Sequence, residues 1–250
     1  MRILAIGNSF SEDGLHWLYQ ILNDLGEKDI FIRNMYIGGC TLDRHANCVR
    51  NHLTDYRRDD NTDGTWVWNT QQTVVSAFDG TEWDYISLQQ QSGASGLPET
   101  YGELDFLISF VKKYANENAK LVWQMTWTYP SHNAQGHFEP YGFDHSKMYQ
   151  AIVETVKEKI VQSGAFTKIV PSGTAIENLY PRFGERLYRD HLHLSYDLGR
   201  YVVALTWAKT LTGKSLQNVR FAPEGVTEEE KKAAIEAAEA AVLSPFAPTL

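Results

Sequence analysis

Short apolar segments alternate along this chain with longer segments whose apolar residues recur at helical spacing, and this alternation limits the possible folds most strongly. Strands are predicted near residues 2–6, 30–36, 83–89, 120–127 and 168–170, each bounded by glycine, proline or polar residues. Helices are predicted between or after them, with apolar faces at 104–111 and 148–160 among others. The pattern predicts an α/β fold, a three-layer α/β/α sandwich around a five-stranded parallel sheet.

The chain's 250 residues suffice for one domain with a single core, but two segments depart from the alternation. Residues 41–82 form a long polar insertion, which is either a functional lid or wall, or a solvated loop with its own hairpin. Residues 128–145 follow the fourth predicted strand, where loops of α/β sheets line the ligand crevice. Near the C-terminal end, Thr227 followed by Glu230 is a capping-box pattern that predicts a helix at about 227–243.

Charge and hydropathy bear on partners and location. With 23 basic and 31 acidic residues, the formal net charge of −8 disfavours nucleic acid. The most apolar stretch, residues 201–208, is far shorter than the roughly 20 residues that span a bilayer, so we expect a soluble protein that does not bind membranes. The first residues enter an apolar strand without the features of a leader. We expect a periplasmic or secreted location if a leader has been removed, and the cytoplasm otherwise.

Cysteine usage points away from a disulfide scaffold and from a structural zinc site. Cys40 and Cys48 are the two cysteines of the chain, too few for a disulfide scaffold and wrongly spaced for a four-ligand zinc site. Their spacing leaves open whether they pair with each other.

Ser9 is a candidate nucleophile. It follows the first predicted strand and opens the next predicted helix, a position where backbone amides and the helix dipole favour negative charge. The alternative is that Asn8, Ser9 and Ser11 only cap the helix.

Asp190 and His193 form a second candidate group just before the last helix of the predicted sandwich. A carboxylate three residues before an imidazole can accept the hydrogen on Nδ1 and leave Nε2 free as a base. A capping aspartate with a surface histidine is the alternative. His191 and His193 together could also clip a metal, but no third ligand stands out in the sequence.

Two further segments fall at predicted strand ends. Gly38 and Gly39 follow the second strand, where a glycine allows a backbone amide to approach a developing oxyanion, although a simple turn is the alternative. At the end of the third strand, side-chain amides could donate to an oxyanion, or the strand end could merely be solvated; this run consists of Gln89, Gln90, Gln91, Ser92 and Gly93.

Along the chain the four segments occur in the order serine, glycine turn, glutamine run and Asp-x-x-His, and in this order they resemble the blocks of the SGNH (GDSL-type) hydrolase superfamily, from Ile3 to about Gly213. The first block, usually Gly-Asp-Ser, is matched by Gly7-Asn8-Ser9, and the last, Asp-x-x-His, by Asp190 and His193. Gly39 corresponds to the second-block glycine, with Gly38 as its neighbour. The third block departs, because glutamines stand where the superfamily has Gly-x-Asn. The Gly-Asn-Ser-Phe block and the Leu-Gln-x-Gln-Ser run are similar to the first and third blocks of a bacterial branch of this superfamily, whose function is unknown.

The resemblance implies a flavodoxin-like SGNH fold and a serine esterase that works without a metal or organic cofactor. Ser9 would be the nucleophile, His193 the base and Asp190 the residue that orients and stabilises the imidazole. The oxyanion hole would comprise the amides of Ser9 and Gly39 and the side chain of Gln91, with Gln89 as the second choice.

The substrate is a weaker inference from the residues. Trp68 lies in the insertion and Trp127 near the end of the fourth strand, where an aromatic face could stack on a sugar ring, although most such rings are core residues. Because many superfamily members remove acetyl groups from carbohydrates, we expect a carbohydrate O-acetylesterase. A lipase or thioesterase for longer acyl chains is the alternative within this class, and a catalytically weak glycan-binding protein or a metal-dependent hydrolase lies outside it.

Overall fold

The computed structural model describes residues 1–134 and 136–250. Its central sheet has seven strands in the order β4-β3-β2-β1-β5-β6-β7. The strands are β1 (Arg2–Gly7), β2 (Phe31–Tyr36), β3 (Tyr56–Asn61), β4 (Trp66–Gln72), β5 (Tyr85–Leu88), β6 (Lys120–Gln124) and β7 (Lys168–Val170). The helices are α1 (Ser9–Leu15), α2 (Leu18–Asp24), α3 (Leu42–Arg50), α4 (Leu104–Tyr114), α5 (His145–Thr155), α6 (Ser172–Phe183), α7 (Leu198–Thr212) and α8 (Glu228–Leu243).

The five predicted strands form the parallel part of the sheet, in the order β2-β1-β5-β6-β7. The expected three-layer α/β sandwich is thus confirmed, with a sheet that is two strands wider than predicted. The additional strands are β3 and β4, which pair antiparallel with β2 and with each other. The residues of β3 and β4 are too polar to be predicted as buried strands. Polar residues are tolerated there because β4 lies at the sheet edge, where its side chains are at least partly exposed.

The helices form two groups around the sheet. Helices α1, α2, α6, α7 and α8 contact one another in one group, and α3 contacts α4 in the other. The core lies between these groups and the parallel strands, which are apolar and buried on both faces, as at Ile3 to Ile6 of β1. No helix in the described part of the chain is long and apolar enough to cross a membrane.

The segment after β1 differs from a single amphipathic helix. It forms α1 and α2, separated at His16 and Trp17. The carbonyl of His16 accepts a hydrogen bond from the indole of Trp66, so this end of α1 is tied to β4.

The insertion at 41–82 folds into α3, the β3–β4 hairpin and a short 3-10 helix, Val74–Phe78. The insertion therefore contains a hairpin, as one interpretation of the sequence expected. It also lines a cavity beside α1, as a wall would. Helix α8 begins at Glu228 with the capping box formed by Thr227 and Glu230. Cys40 and Cys48 are free thiols, both buried.

Candidate active site

Ser9 is the first residue of α1, directly after β1 ends at Gly7. The helix begins there because Asn8 is extended and its side-chain oxygen accepts from the amide of Phe10, a distance of 3.0 Å. The sequence thus places the Ser9 hydroxyl at the carboxyl edge of the sheet and at the amino end of a helix, where first-turn amides have no partner inside the helix.

His193 and Asp190 lie in one tight loop and meet Ser9 across the sheet edge. Nε2 of His193 is 2.9 Å from Oγ of Ser9, and Nδ1 of His193 is 2.8 Å from Oδ2 of Asp190. Because a carboxylate accepts hydrogen bonds, Nδ1 carries the proton and Nε2 is left to accept from the serine hydroxyl. The structure therefore brings together the three residues that the sequence singled out for nucleophile, base and orienting carboxylate.

Asp190 is also held by its own loop. Its Oδ1 accepts from the backbone amides of Leu192 and His193, at 2.9 and 2.7 Å. Partial burial acts to raise the pKa of the Asp190 carboxyl, but the hydrogen bonds from the amides of His193 and Leu192 and from the His193 ring outweigh it and lower the pKa below its ordinary value. Asp190 is thereby kept ionised beside the imidazole.

Asp13, which the sequence analysis missed, ties the histidine loop to α1. Its fully buried carboxylate accepts from the amide of Leu194 at 3.0 Å, and it pairs with Arg189 at 2.9 Å and with Arg200 at 2.7 Å. Leu194 directly follows His193, so the side chain of Asp13 connects the helix that carries Ser9 with the loop that carries His193. The only signal was a carboxylate four residues after Ser9, too weak without its partners from residues 189–200.

The side-chain contacts of Asn8 use both polar atoms of its amide group. Its Nδ2 donates to the carbonyl of Cys40 at 3.0 Å, which a carboxylate could not do, and its Oδ1 accepts from Nε2 of Gln89 at 2.7 Å. Asn8 is almost fully buried, so both contacts are protected from water. The side chains of Asn8 and Gln89 therefore belong to one hydrogen-bond network beneath the turn that carries Ser9.

Gly38 and Gly39 form an exposed turn next to this network. The amide of Cys40 donates to the carbonyl of Ile37, and Gly39 has φ of +60°, the left-handed conformation that glycine adopts without strain. The bond from Asn8 to Cys40 connects the turn to the start of α1. No side chain would contact a Cβ added to Gly39, so the Gly39 side of the turn is open to a ligand.

The three glutamines after β5 have different environments. Gln89 is buried and donates to Asn8, and Gln90 is buried and accepts from the amide of Leu42 at 3.1 Å. Gln91 is only partly buried, and its Oε1 caps a 3-10 turn by accepting from the amide of Ala94. The Nε2 of Gln91 makes a long contact of 3.4 Å with the Ser92 hydroxyl, so it is the least engaged of the three side-chain amides.

The two predicted substrate tryptophans have opposite environments. Trp127 is fully buried, stacked on Phe10 with ring centroids 3.9 Å apart, and its indole donates to the carbonyl of Leu192. The expectation that it contacts substrate is wrong, because both faces of the ring are covered; it supports the histidine loop instead. Trp68 is 65% exposed on β4 and lines a cavity beside α1.

This cavity, which we call the α1–hairpin cavity, has a volume of about 280 Å³. It lies between α1 and the β3–β4 hairpin, and its lining includes Glu12, His16, Asn34, Arg57, Asp59 and Trp68. Residues 41–82 therefore supply one wall of a pocket near Ser9. In the described residues, no group of three or more histidines, cysteines or acidic residues is arranged to hold a metal ion.

The family of the chain follows from comparison with known proteins. A family model described as "Domain of unknown function (DUF4886)" matches residues 2–241. The chain belongs to this family. A DUF4886 protein from Bacteroides uniformis, known from a crystal structure, is 36% identical, with a TM-score of 0.95 over 100% of this chain and 97% of that one. A search of curated proteins gives no match.

More distant structures share the fold of this DUF4886 protein. A protein described as a GDSL-like lipase from Parabacteroides merdae has a TM-score of 0.55 at 15% identity, covering 83% of this chain and 94% of that one. An acetylxylan esterase from Geobacillus stearothermophilus, solved as a catalytic mutant, has a TM-score of 0.55 at 12% identity, covering 88% and 94%. Together with the sheet topology, these similarities assign the SGNH hydrolase fold.

Proposed function

We propose that this DUF4886 protein is a serine esterase that removes short acyl groups, above all acetyl groups, from carbohydrates. The observation that carries the proposal is the hydrogen-bonded series from Ser9 through His193 to Asp190, at the sheet edge where α/β proteins bind ligands. The esterases among its structural neighbours support ester hydrolysis, and the acetylxylan esterases support acetylated carbohydrate as the substrate class.

The proposed reaction proceeds in two steps. Oγ of Ser9 attacks the ester carbonyl while Nε2 of His193 takes the hydroxyl proton, and Asp190 stabilises the imidazolium. When the C–O bond to the alcohol breaks, His193 returns that proton to the departing alkoxide and the acyl group stays on Ser9. Water then attacks the acyl-enzyme with His193 again as base, and the acid leaves as Ser9 recovers its proton.

The oxyanion of each tetrahedral intermediate needs donors close to Ser9. We assign the backbone amides of Ser9 and Gly39 and the side-chain amide of Gln91, each worth about 2.7 to 4 kcal/mol in a dry site. Gln89 is the weaker choice because its amide already donates to Asn8. We infer that Gln89 supports the nucleophile turn and leaves the oxyanion to Gln91.

Hydrolysis of p-nitrophenyl acetate, butyrate and octanoate tests the proposal. We expect wild type to prefer acetate, and Ser9→Ala and His193→Ala each to lower kcat by about 10⁴-fold or more, since the members of such a group act as a unit. A chelator should leave the wild-type rate unchanged. Ser146→Ala serves as the matched control, because Ser146 is also a serine in the first turn of a helix, on an exposed surface.

Four results would count against this function. Full activity in Ser9→Ala would reject the serine mechanism, and loss of wild-type activity with chelator would favour a metal-dependent hydrolase. A preference for octanoate would favour the lipase or thioesterase alternative. Folded wild type that hydrolyses no ester but binds glycans would favour a binding protein.

A further inference from the structure

We propose that the α1–hairpin cavity binds an uncharged sugar ring of the substrate, on the alcohol side of the ester that Ser9 attacks. This inference rests on the proposed esterase function and adds a specific site for the carbohydrate. It is carried by the position of the cavity, the balance of charge in its lining and the exposed ring of Trp68.

The cavity begins one helical turn from the nucleophile. Ser9, Glu12 and His16 follow the spacing i, i+3, i+7, so they lie along one face of α1 and its C-cap. At a rise of 1.5 Å per residue, Glu12 is about 4.5 Å along the helix axis from Ser9. A substrate whose ester lies at Ser9 can therefore extend along α1 into the cavity.

The other wall of the cavity connects to the glycine turn. The Arg57 guanidinium lies over the ring of Tyr36, 4.1 Å from its centroid, and the hydroxyl of Tyr36 would be 3.3 Å from a Cβ added to Gly38. The cavity wall and the proposed oxyanion turn are thus in contact through Tyr36, on the side of Ser9 that faces β3 and β4.

Charges in the cavity lining are paired. Arg57 binds Glu12 at 2.5 Å and Asp59 at 2.6 Å, while Arg200 is held by the buried Asp13. The formal charges of the lining residues sum to zero, because two acidic side chains, Glu12 and Asp59, and two basic ones, Arg57 and Arg200, face the cavity. An anionic or cationic ligand would gain no net attraction there, and an acyl chain would strip water from four charged groups.

His16 adds a neutral polar group to this lining. Burial, together with the nearby charges of Arg200 and Arg189, lowers the pKa of His16 from 6.5 to about 4. The imidazole is therefore uncharged near neutral pH, and it can both donate and accept hydrogen bonds. Hydroxyl groups of a sugar have the same dual capacity.

Trp68 supplies the aromatic face that such a ligand needs. Its side chain is 65% exposed, whereas the neighbouring Trp66 is anchored by its indole to the carbonyl of His16. A large exposed aromatic ring at a pocket edge is costly in water and is typical of a binding surface. With a volume of about 280 Å³, the cavity matches the lower end of small-molecule sites, which begin at roughly 300 Å³. It therefore suits a single ring.

The test compares an ester that has no sugar with esters that have one. For wild type and Trp68→Ala, kcat/KM is measured on p-nitrophenyl acetate and on acetylated xylo-, manno- and cello-oligosaccharides. We expect the ratio of kcat/KM on the best oligosaccharide to that on p-nitrophenyl acetate to fall by about tenfold in Trp68→Ala, through KM, since about 1.4 kcal/mol of stacking is lost. Trp68→Phe, which keeps a ring, should recover most of it.

Val67→Ala is the matched control, because Val67 is 60% exposed on the same strand and its side chain points to the opposite face. The ratio should stay at the wild-type value in this variant. Acetylated uronic-acid oligosaccharides should be poorer substrates than the neutral ones, since the paired lining offers no free cation.

The proposal is overturned if Trp68→Ala keeps the wild-type ratio, if Val67→Ala lowers it equally, or if the anionic series is preferred. It is also overturned if wild type uses none of the neutral oligosaccharides better than p-nitrophenyl acetate. Failure of the esterase function is a separate result, because it would appear as undiminished hydrolysis of p-nitrophenyl acetate by Ser9→Ala.

Discussion

Asp13 and Ser9 lie four residues apart on α1, and both contact the loop that carries His193, Ser9 through the imidazole and Asp13 through the backbone. Its carboxylate accepts the amide of Leu194, and Arg189 binds both this carboxylate and the carbonyl of Leu194. Hydrogen bonds to a fully buried carboxylate are strong and well oriented, because water does not compete for them. We infer that Asp13 is a positioning residue that sets the distance between Ser9 and His193.

Asp13→Asn should lower kcat on p-nitrophenyl acetate by about 10²-fold with little change in KM, because a displacement of about 1 Å in a reacting group has an effect of this size. Stability should fall by about 3 to 5 kcal/mol, since two guanidiniums lose a buried counter-charge. Steady-state kinetics of the folded fraction, together with urea unfolding, would measure both effects.

Asp24→Asn is the matched control for this prediction. Asp24 also joins distant segments, by accepting from the amides of Arg220 and Phe221, but it has no contact with the histidine loop. It should lower stability and leave kcat unchanged. If folded Asp13→Asn has the wild-type kcat, Asp13 serves stability alone.

At the scale of elements, a buried ion pair ties the segment after β6 to α6. Nε2 of His145 is 2.8 Å from Oε1 of Glu177, which also accepts from Thr128, and Nδ1 of His145 is 2.6 Å from the carbonyl of Tyr129. Both ring nitrogens face acceptors, so the protonated ring fits best. Burial lowers the pKa of His145, but the hydrogen bonds to Glu177 and Tyr129 outweigh it and raise the pKa above its ordinary value of 6.5.

The raised pKa of His145 makes its contribution to the free energy of unfolding larger at low pH than at high pH. A pKa that is higher in the folded state contributes stability below the unfolded value of 6.5, and the contribution is lost as pH rises through the folded-state pKa. Glu177→Gln should therefore reduce the free energy of unfolding by about 3 kcal/mol at pH 6 and by less at pH 9. Urea unfolding at the two pH values measures the difference.

Glu185→Gln provides the comparison, because Glu185 binds His132 at the surface of the same segment. An exposed pair of this kind contributes at most about 1 kcal/mol. An effect of Glu177→Gln as small as that of Glu185→Gln, or one that grows from pH 6 to pH 9, would contradict the assignment of a buried ion pair.

At the scale of the whole molecule, His45, which is buried, and His16, which is partly buried, are neutral in the folded protein and oppose folding in acid. Burial lowers the pKa of His45 to about 3, and burial with the charges of Arg200 and Arg189 lowers that of His16 to about 4. Between these values and 6.5 the unfolded chain binds more protons than the folded one. Stability therefore rises with pH up to about 6.5 through these two residues and then levels off.

His16→Gln should remove its share of this dependence. The increase in the free energy of unfolding from pH 4 to pH 7 should be smaller than in wild type by up to about 3 kcal/mol. Urea unfolding across this range gives the two curves, and their difference cancels the contributions of other groups. If His16→Gln follows the wild-type curve, the ring of His16 is not held neutral by burial.

The sequence by itself determined the features that depend on neighbours along the chain. Apolar runs and helical spacing located the five parallel strands and the faces of α4 and α5, and the Thr227–Glu230 pattern located the start of α8. Gly7-Asn8-Ser9 and the segment from Asp190 to His193 each span about one turn. The conformational preferences of neighbouring residues were therefore enough to predict their local geometry. Residues 56–72 did not indicate two sheet strands, because an exposed edge does not need an apolar pattern.

Only the tertiary structure decided which distant side chains meet and which rings are open to solvent. The contacts of Asp13 with Arg189 and of Asn8 with Gln89 span 176 and 81 residues, and nothing local to either partner specifies the other. Trp127 and Trp68 were equal candidates in the sequence, but packing against Phe10 buries the first and the sheet edge exposes the second. The physical reason is that burial, ion pairing and access to a cavity arise from packing between elements, whereas periodicity and capping arise within them.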